Sequence, residues 1–291
     1  MTWKHLPIVA FDTETTGLDP FDGNRVIEIA AVKFMIAPDG TILSEEPFSH
    51  LLNPGMPIPR TASEITGITD KDVQGAKIFA EIADELRELL HGAITVAHNY
   101  PFDMKFLTQE YARLDERWPE PVAEVDTFNL SRKHLPDAKD HKLKTLCDRL
   151  GVSLEGAHRA TNDAAACGKS FLELVKRHQV ADDLQAMLAW GPAIGHPPEG
   201  ALILNDAGAV VFRDGPHAGK FVGDQPIHLA WMEKARIRGA NGWQFRFDDA
   251  TRAWVRRWLD VRGAGIARSN PKTFHEGDWV IDPCIAPEVR P

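Results

Sequence analysis

The chain has 291 residues, 43% of them hydrophobic and 26% charged, with a formal net charge of -9. That composition fits an ordinary globular protein of one large or two smaller domains, and the acid excess argues against a protein that coats nucleic acid through bulk positive charge. Three cysteines (Cys147, Cys167 and Cys284), without C-x-x-C spacing, argue against a disulfide framework or a zinc site and fit a reducing cytoplasm. The start, MTWKHLPIVAFD, lacks the long apolar run and cleavage site of a signal peptide. No stretch reaches the roughly 20 apolar residues of a bilayer span, so a cytoplasmic protein without a membrane partner is expected.

In chain order, LPIVAFDTE reads as a buried strand, and NRVIEIAAVKFMI as a second, ended by the turn signal APDG. TILSEEPFSHLLNP continues as a third, completing a meander. EITGITDKDV is expected to be a loop entering a helix, with Thr69 or Asp70 as N-cap. Residues 76–92 carry Ile78, Phe79, Ile82, Leu86 and Leu89 at helical spacing. AITVAHN is a further buried strand. PFDMKFLTQEYARL is a helix with proline in its first turn. AEVDTFNLSR is a short strand running into a helix, LKTLCDRLG a helix ended by Gly151, and RATNDAAACGKSFLELVKRHQ a long helix whose alanines predict close packing. This order predicts an α/β domain with a mixed sheet. The expected division is a catalytic domain over 1–180, a Pro/Gly-rich linker over 181–200 and a small α+β module over 201–291. The acid excess lies in the first part; residues 195–291 are close to neutral.

Three patches carry chemistry. In FDTETTG, Asp12 and Glu14 are i and i+2 on a strand, so both face one side, and two carboxylates so placed repel unless a cation or a proton sits between them. In AHNYPFDMKFL, Asp103 opens a helix directly after a strand. In GAHRATNDAAA, His158 and Asp163 bracket a helix start. Five helical residues turn the chain by roughly 500°, so His158 is expected to project from the entry loop and Asp163 from the helix. Alone, each of these residues has a structural explanation as a strand end, helix cap or surface group. Together, four oxygen donors and a histidine suit two Mg²⁺ or Mn²⁺ ions rather than zinc, with the histidine available as a base near neutral pH.

These motifs, D-x-E, HNxxFD and H-x4-D in this order, resemble the DnaQ-like, DEDDh class of 3′–5′ exonucleases, the group of exonuclease X and the polymerase III epsilon subunit. The resemblance covers about residues 5–178. It implies a ribonuclease-H-like fold and metal-dependent release of nucleoside monophosphates from a 3′ end. By position it makes Asp12, Glu14, Asp103 and Asp163 the metal ligands and His158 the general base. It also implies that the backbone at Thr15 and Thr16 holds the terminal 3′-hydroxyl, that Leu18 and Ile68 flank the last base, and that Asn99 and Phe102 support the scissile nucleotide. Leu18, Ile68 and Phe102 are equally compatible with core positions, and Thr15 and Thr16 with turn positions. Asp126, in EVDTFNL, is read as structural.

The expected function is trimming of DNA 3′ ends, preferably single-stranded, in repair or proofreading, with a polymerase or repair complex as a possible partner. The alternatives are an exoribonuclease of the ribonuclease T or oligoribonuclease type, and a non-catalytic nucleic-acid-binding or polymerase-accessory protein. Near the C-terminus, Gly219, Lys220, Gly223 and the segment HLAWM resemble a small module attached to some exonuclease X-like proteins, with His228 in place of its aromatic residue. Beyond it, arginines interleave with Trp243, Phe245, Phe247, Trp254 and Trp258. Such a pattern suits either a single-strand surface or a tryptophan-stapled core with solvent-facing arginines. Salt sensitivity is expected to be small if only the catalytic half binds, and steep if this basic segment does.

Overall fold

In the computed structural model the described residues are 2–116, 121–154, 159–190, 200–204, 210–220, 222, 225–239 and 242–259. They fall into two compact units, Met1–Ala193 and Ile194–Pro291. His158, Gly223, Cys284, Trp279 and residues 191–199 of the expected linker lie outside the described residues.

The first unit is built on strands β1 (Ile8–Thr15), β2 (Val26–Ile36), β3 (Ile42–Leu51), β4 (Ile94–Ala97) and β5 (Ala123–Asp126). They form a five-stranded sheet in the order β3-β2-β1-β4-β5. The first three strands pair antiparallel, as the meander predicted, and β4 and β5 add parallel to β1. With β1 at the centre and covered on both faces, its apolar run is continuous rather than alternating.

The two faces sort by the period of two. Ile8 and Ala10 pack with Ala164, Cys167 and Phe171 of helix α6 (Ala160–Arg177). Phe11, on the other face, meets Tyr100 of helix α3 (Tyr100–Ala112) edge to face at 5.3 Å. α6 lies very close to the sheet because residue 168 is glycine: a Cβ there would stand 2.3 Å from Phe34 Cε2 and 2.9 Å from Ala10 Cβ.

Helices α4 (Thr127–His134) and α5 (Leu143–Leu150) follow the expected segments, and Gly151 takes the left-handed conformation at the end of α5. Three details differ from expectation. No helix starts at Thr69 or Asp70: Asp72 accepts from both the amide and the hydroxyl of Thr69, closing a turn, and Asp70 accepts from the Ile58 amide. The helix α1 (Arg60–Thr66) lies before this turn, ended by Gly67 at positive φ. The helix expected over 76–92 is shorter, α2 (Ala83–Leu90), preceded by a 3₁₀ turn over Phe79–Glu81, and Ile78 is half-exposed. Within the segment expected as linker, Leu184–Trp190 forms helix α7, whose Met187 is buried in the main core.

The second unit contains β6 (Leu202–Leu204) paired with β7 (Val210–Phe212), helix α8 (Pro226–Lys234), the hairpin β8 (Arg236–Gly239) and β9 (Gly242–Phe245), and helix α9 (Asp249–Trp258). Trp254 and Trp258, i and i+4 on α9, are buried with Leu202, Phe212, Leu229 and Met232. Asp248 caps α9, accepting from the Thr251 amide at 2.8 Å. Among the described residues no helix is long and apolar enough to cross a membrane.

Candidate active site

The carboxylates converge where β1 ends. Asp12 and Glu14 share the face of β1 that α6 covers, and Asp163 sits in the first turn of α6. One oxygen of each of these three side chains lies within 4.8 Å of the others. The close seating of α6 at Gly168 sets that convergence. A β-bulge lies at the same place, because the β1–β2 register shifts between Glu14 and Thr15.

Asp103 stands apart from the trio. It is buried in the first turn of α3, and its Oδ1 accepts from the Thr13 amide at 2.9 Å and the Thr13 hydroxyl at 2.7 Å. Thr13 therefore uses the opposite face of β1 to hold the second motif against the first. Asp103 still acts on Asp12 through its field.

The electrostatics report crowding of like charges. Burial pushes Asp12 well above the usual carboxylate range, and Asp103, Glu14 and Asp163 push it further. Glu14 is raised to about 7 by burial and by its neighbours Glu28, Asp163 and Asp103. Asp103 is raised to about 7 by burial, against the opposing effect of its bonds from Thr13. Such a site holds either protons or cations. The donors are all oxygen, which fits hard divalent ions, and the three convergent oxygens have the spacing of one coordination sphere.

Glu28 was not anticipated. It pairs with Glu14 across β1 and β2 and is only 2% exposed. Its Oε2 has no hydrogen-bond partner among the described residues. Burial raises its pKa, and the charge of Arg159 and the Ala160 amide at the start of α6 oppose that. The available signal was a charged residue inside the apolar run VIEIAAV.

The remaining site residues are placed as follows. Thr15 is buried and its hydroxyl donates to the Gly17 carbonyl; the Thr16 amide is committed to the Arg25 carbonyl at 2.9 Å. Leu18 is 82% exposed at the tip of this turn. Ile68 is buried in a small cluster with Ile27, Ile58, Ala62 and Val73, whereas Ile65 on α1 is the exposed apolar residue of that segment. Asn99 precedes α3 at φ 69°, and its amide donates to Asp126 Oδ1 at 2.9 Å. Asp126 also accepts from the Phe128 amide, so it serves the backbone, as expected. The Phe102 ring is half-buried against Phe106.

The turn that carries Leu18 is pinned from below. Glu110, buried on α3, takes Arg25 Nε and Nη2 as a bidentate pair at 2.8 Å and Arg113 Nη1 at 2.9 Å. Arg113 Nη2 then donates to the carbonyls of Pro20 and Asn24, closing the network on the turn.

Comparison with known proteins agrees with this geometry. The family model described as Exonuclease matches residues 9–171. The chain belongs to this exonuclease family. A DNA polymerase III subunit epsilon-like protein of Rhodobacter capsulatus is 38% identical over 172 residues, 58% of this chain and 24% of that protein. A PolC-type DNA polymerase III of Streptococcus pneumoniae is 37% identical over 179 residues, 60% of this chain and 12% of the relative. The chain thus spans a quarter or less of these relatives' length. Among solved structures, Escherichia coli exonuclease I in complex with a dT13 oligonucleotide shares the fold, with a TM-score of 0.51 and 20% identity over 60% of this chain and 42% of that one. The DnaQ-like family and the ribonuclease-H-like sheet read from the three motifs are both borne out.

Proposed function

We propose that the first unit is a metal-dependent 3′–5′ exonuclease that removes nucleoside 5′-monophosphates from the 3′ end of DNA, with single-stranded or frayed ends preferred. The observation that carries this reading is the convergence of Asp12, Glu14 and Asp163 within 4.8 Å, with Asp103 fastened behind them by Thr13. A pure binding module gains nothing from half-buried carboxylates that repel one another. The choice of DNA rests on the relatives, which are DNA polymerase III proteins, and extends to a role in proofreading or repair beside a polymerase.

Asp12, Glu14, Asp163 and Asp103 would hold two Mg²⁺ or Mn²⁺ ions. When bound, such ions neutralise the phosphodiester and make its attacking water acidic. The protein's part is positional. Thr13 fixes the rotamer of Asp103. The Gly168 contact sets the distance from α6 to β1 and so places Asp163. The Glu110 network fixes the turn that offers Leu18 to the terminal base and Thr15 to the 3′-hydroxyl. Asn99, strained at positive φ and anchored on Asp126, shapes the start of α3 beside the nucleotide. His158, assigned as the base through the H-x4-D motif, would take the proton of the attacking water.

Product analysis tests this reading. The full chain is incubated with uniformly labelled single-stranded DNA or RNA of one sequence, with Mg²⁺ or Mn²⁺. Nucleoside 5′-monophosphates are expected from the first turnovers, faster from DNA. Faster release from RNA assigns the chain to the exoribonuclease alternative. Internal fragments or nucleoside 3′-phosphates contradict the proposed chemistry.

A further inference from the structure

The second unit divides its aromatic residues in two. Trp254 and Trp258 fill its core, whereas Trp243, on β9, is 66% exposed. Phe245, two residues on and therefore on the same face, is 39% exposed. Arg236 pairs with Phe245 across the hairpin, and its guanidinium lies 4.8 Å from the ring centroid. Arg252 of α9 stacks on the same ring at 3.3 Å. Just past β9, exposed Arg246 points to the opposite face, where it lies 5.4 Å from the Trp231 centroid.

A core-building role does not require this arrangement. Rings resting against guanidinium groups hold them in place, which removes part of the ordering cost of binding a phosphate. The nearby acids are engaged elsewhere: Asp248 caps α9 and Asp249 pairs with Arg252. Among the described residues neither Arg236 nor Arg246 has a carboxylate partner.

We infer that the exposed face of the β8–β9 hairpin, with Trp243 as a stacking platform and Arg236, held on the Phe245 ring of the same face, as a phosphate contact, is a second binding surface for single-stranded nucleic acid. An exposed indole needs an unstacked base face, which a duplex withholds. A positioned arginine beside it meets a phosphate that flanks such a base. This surface belongs to the second unit and does not depend on the nuclease reading.

The test uses the full chain, EDTA and a small covalently closed single-stranded DNA circle, which has no 3′ end to offer the carboxylate site. Binding is followed by gel shift over a salt series. The circle is expected to bind, and Trp243→Ala to weaken it about tenfold or more, as loss of one base–aromatic stack predicts. Arg236→Gln is expected to lower the slope of log affinity against log salt by about 0.7. Because both side chains are exposed, the circular dichroism spectra should match the parent. Release of mononucleotides from a short strand should persist in Trp243→Ala. The inference is overturned if the circle does not bind, if Trp243→Ala binds it as well as the parent does, or if duplex DNA or polyglutamate competes as effectively as a single strand.

Discussion

Gly168→Ala is the substitution that most directly tests how the fold sets the site. The added methyl would stand 2.3 Å from Phe34 Cε2 and 2.9 Å from Ala10 Cβ, whereas carbon atoms pack at about 3.5–4.0 Å. α6 must therefore withdraw from the sheet by about 1 Å, or Phe34 must leave its rotamer. Overpacking of this kind costs about 1–3 kcal/mol. Alanine recovers up to about 1 kcal/mol of helix propensity, so packing dominates. The melting temperature should fall by about 2–4 °C per kcal/mol of net loss. Ala10 lies two residues before Asp12 on the same face, and Gly168 lies five residues after Asp163 on the same helix, so the strain falls on the gap between the carboxylates. A displacement of about 1 Å there should lower kcat about 100-fold. Thermal unfolding and single-turnover kinetics at saturating Mg²⁺ measure the two effects. An alanine variant that is more stable than the parent and equally active would refute the argument, because helix propensity alone predicts that result.

Other expectations follow from the same geometry. In EDTA the protein should lose stability as pH rises from about 4.5 through about 7. Over that range the folded carboxyls of Glu14 and Asp103 retain protons that the unfolded chain has released; urea titrations at pH 5.5 and 8 that show rising stability would remove the crowding argument. Metal binding near neutral pH should release protons, seen by calorimetry as a heat that depends on the buffer's ionisation enthalpy; a buffer-independent heat contradicts the raised pKa values. Asp12→Ala should abolish activity yet leave the metal-free melting temperature unchanged or higher, since it removes repulsion; a large drop would recast Asp12 as structural. Leu18→Ala should leave stability within about 0.5 kcal/mol and raise KM, because the side chain is exposed at the turn; an unchanged KM takes Leu18 out of substrate contact. Glu110→Ala should cost about 1.5–3 kcal/mol, since Arg25 and Arg113 lose their charged partner but keep carbonyl acceptors, and chemical denaturation would read this.

What the sequence made legible was local. Asp12 and Glu14 declared a shared face through the period of a strand, and Asp103 declared a helix start through HNYPFD. The order of strands and helices sufficed for the mixed sheet. What it hid was tertiary. Glu28 read as an ordinary member of a strand until β1 and α6 closed over it. Ile68, equally compatible with a core position and a pocket wall, is buried in the cluster of Ile27 and Val73, and Ile65 is the exposed apolar residue beside it. α1 begins after Pro59 with no side-chain cap and so carried no start signal; α7 did carry one, Asp183, which accepts from the Ala186 amide at 3.2 Å, but the Pro/Gly-rich run that follows it read as linker. Thr69 resembled a helix cap, but its amide and hydroxyl both donate to Asp72, which closes a turn instead. The tryptophans of the second unit were separable only once the hairpin register put Trp243 on the outside.

The central claim is that the carboxylates at the end of β1 are a metal cradle for 3′-end hydrolysis. The most direct measurement is a time course on 5′-labelled single-stranded DNA with Mg²⁺, Mn²⁺ or EDTA, run beside Asp163→Asn. A ladder that shortens from the 3′ end, absent in EDTA and in Asp163→Asn, is the predicted result. A ladder that survives EDTA, or is equally strong in Asp163→Asn, would contradict it, as would intact strands with both metals.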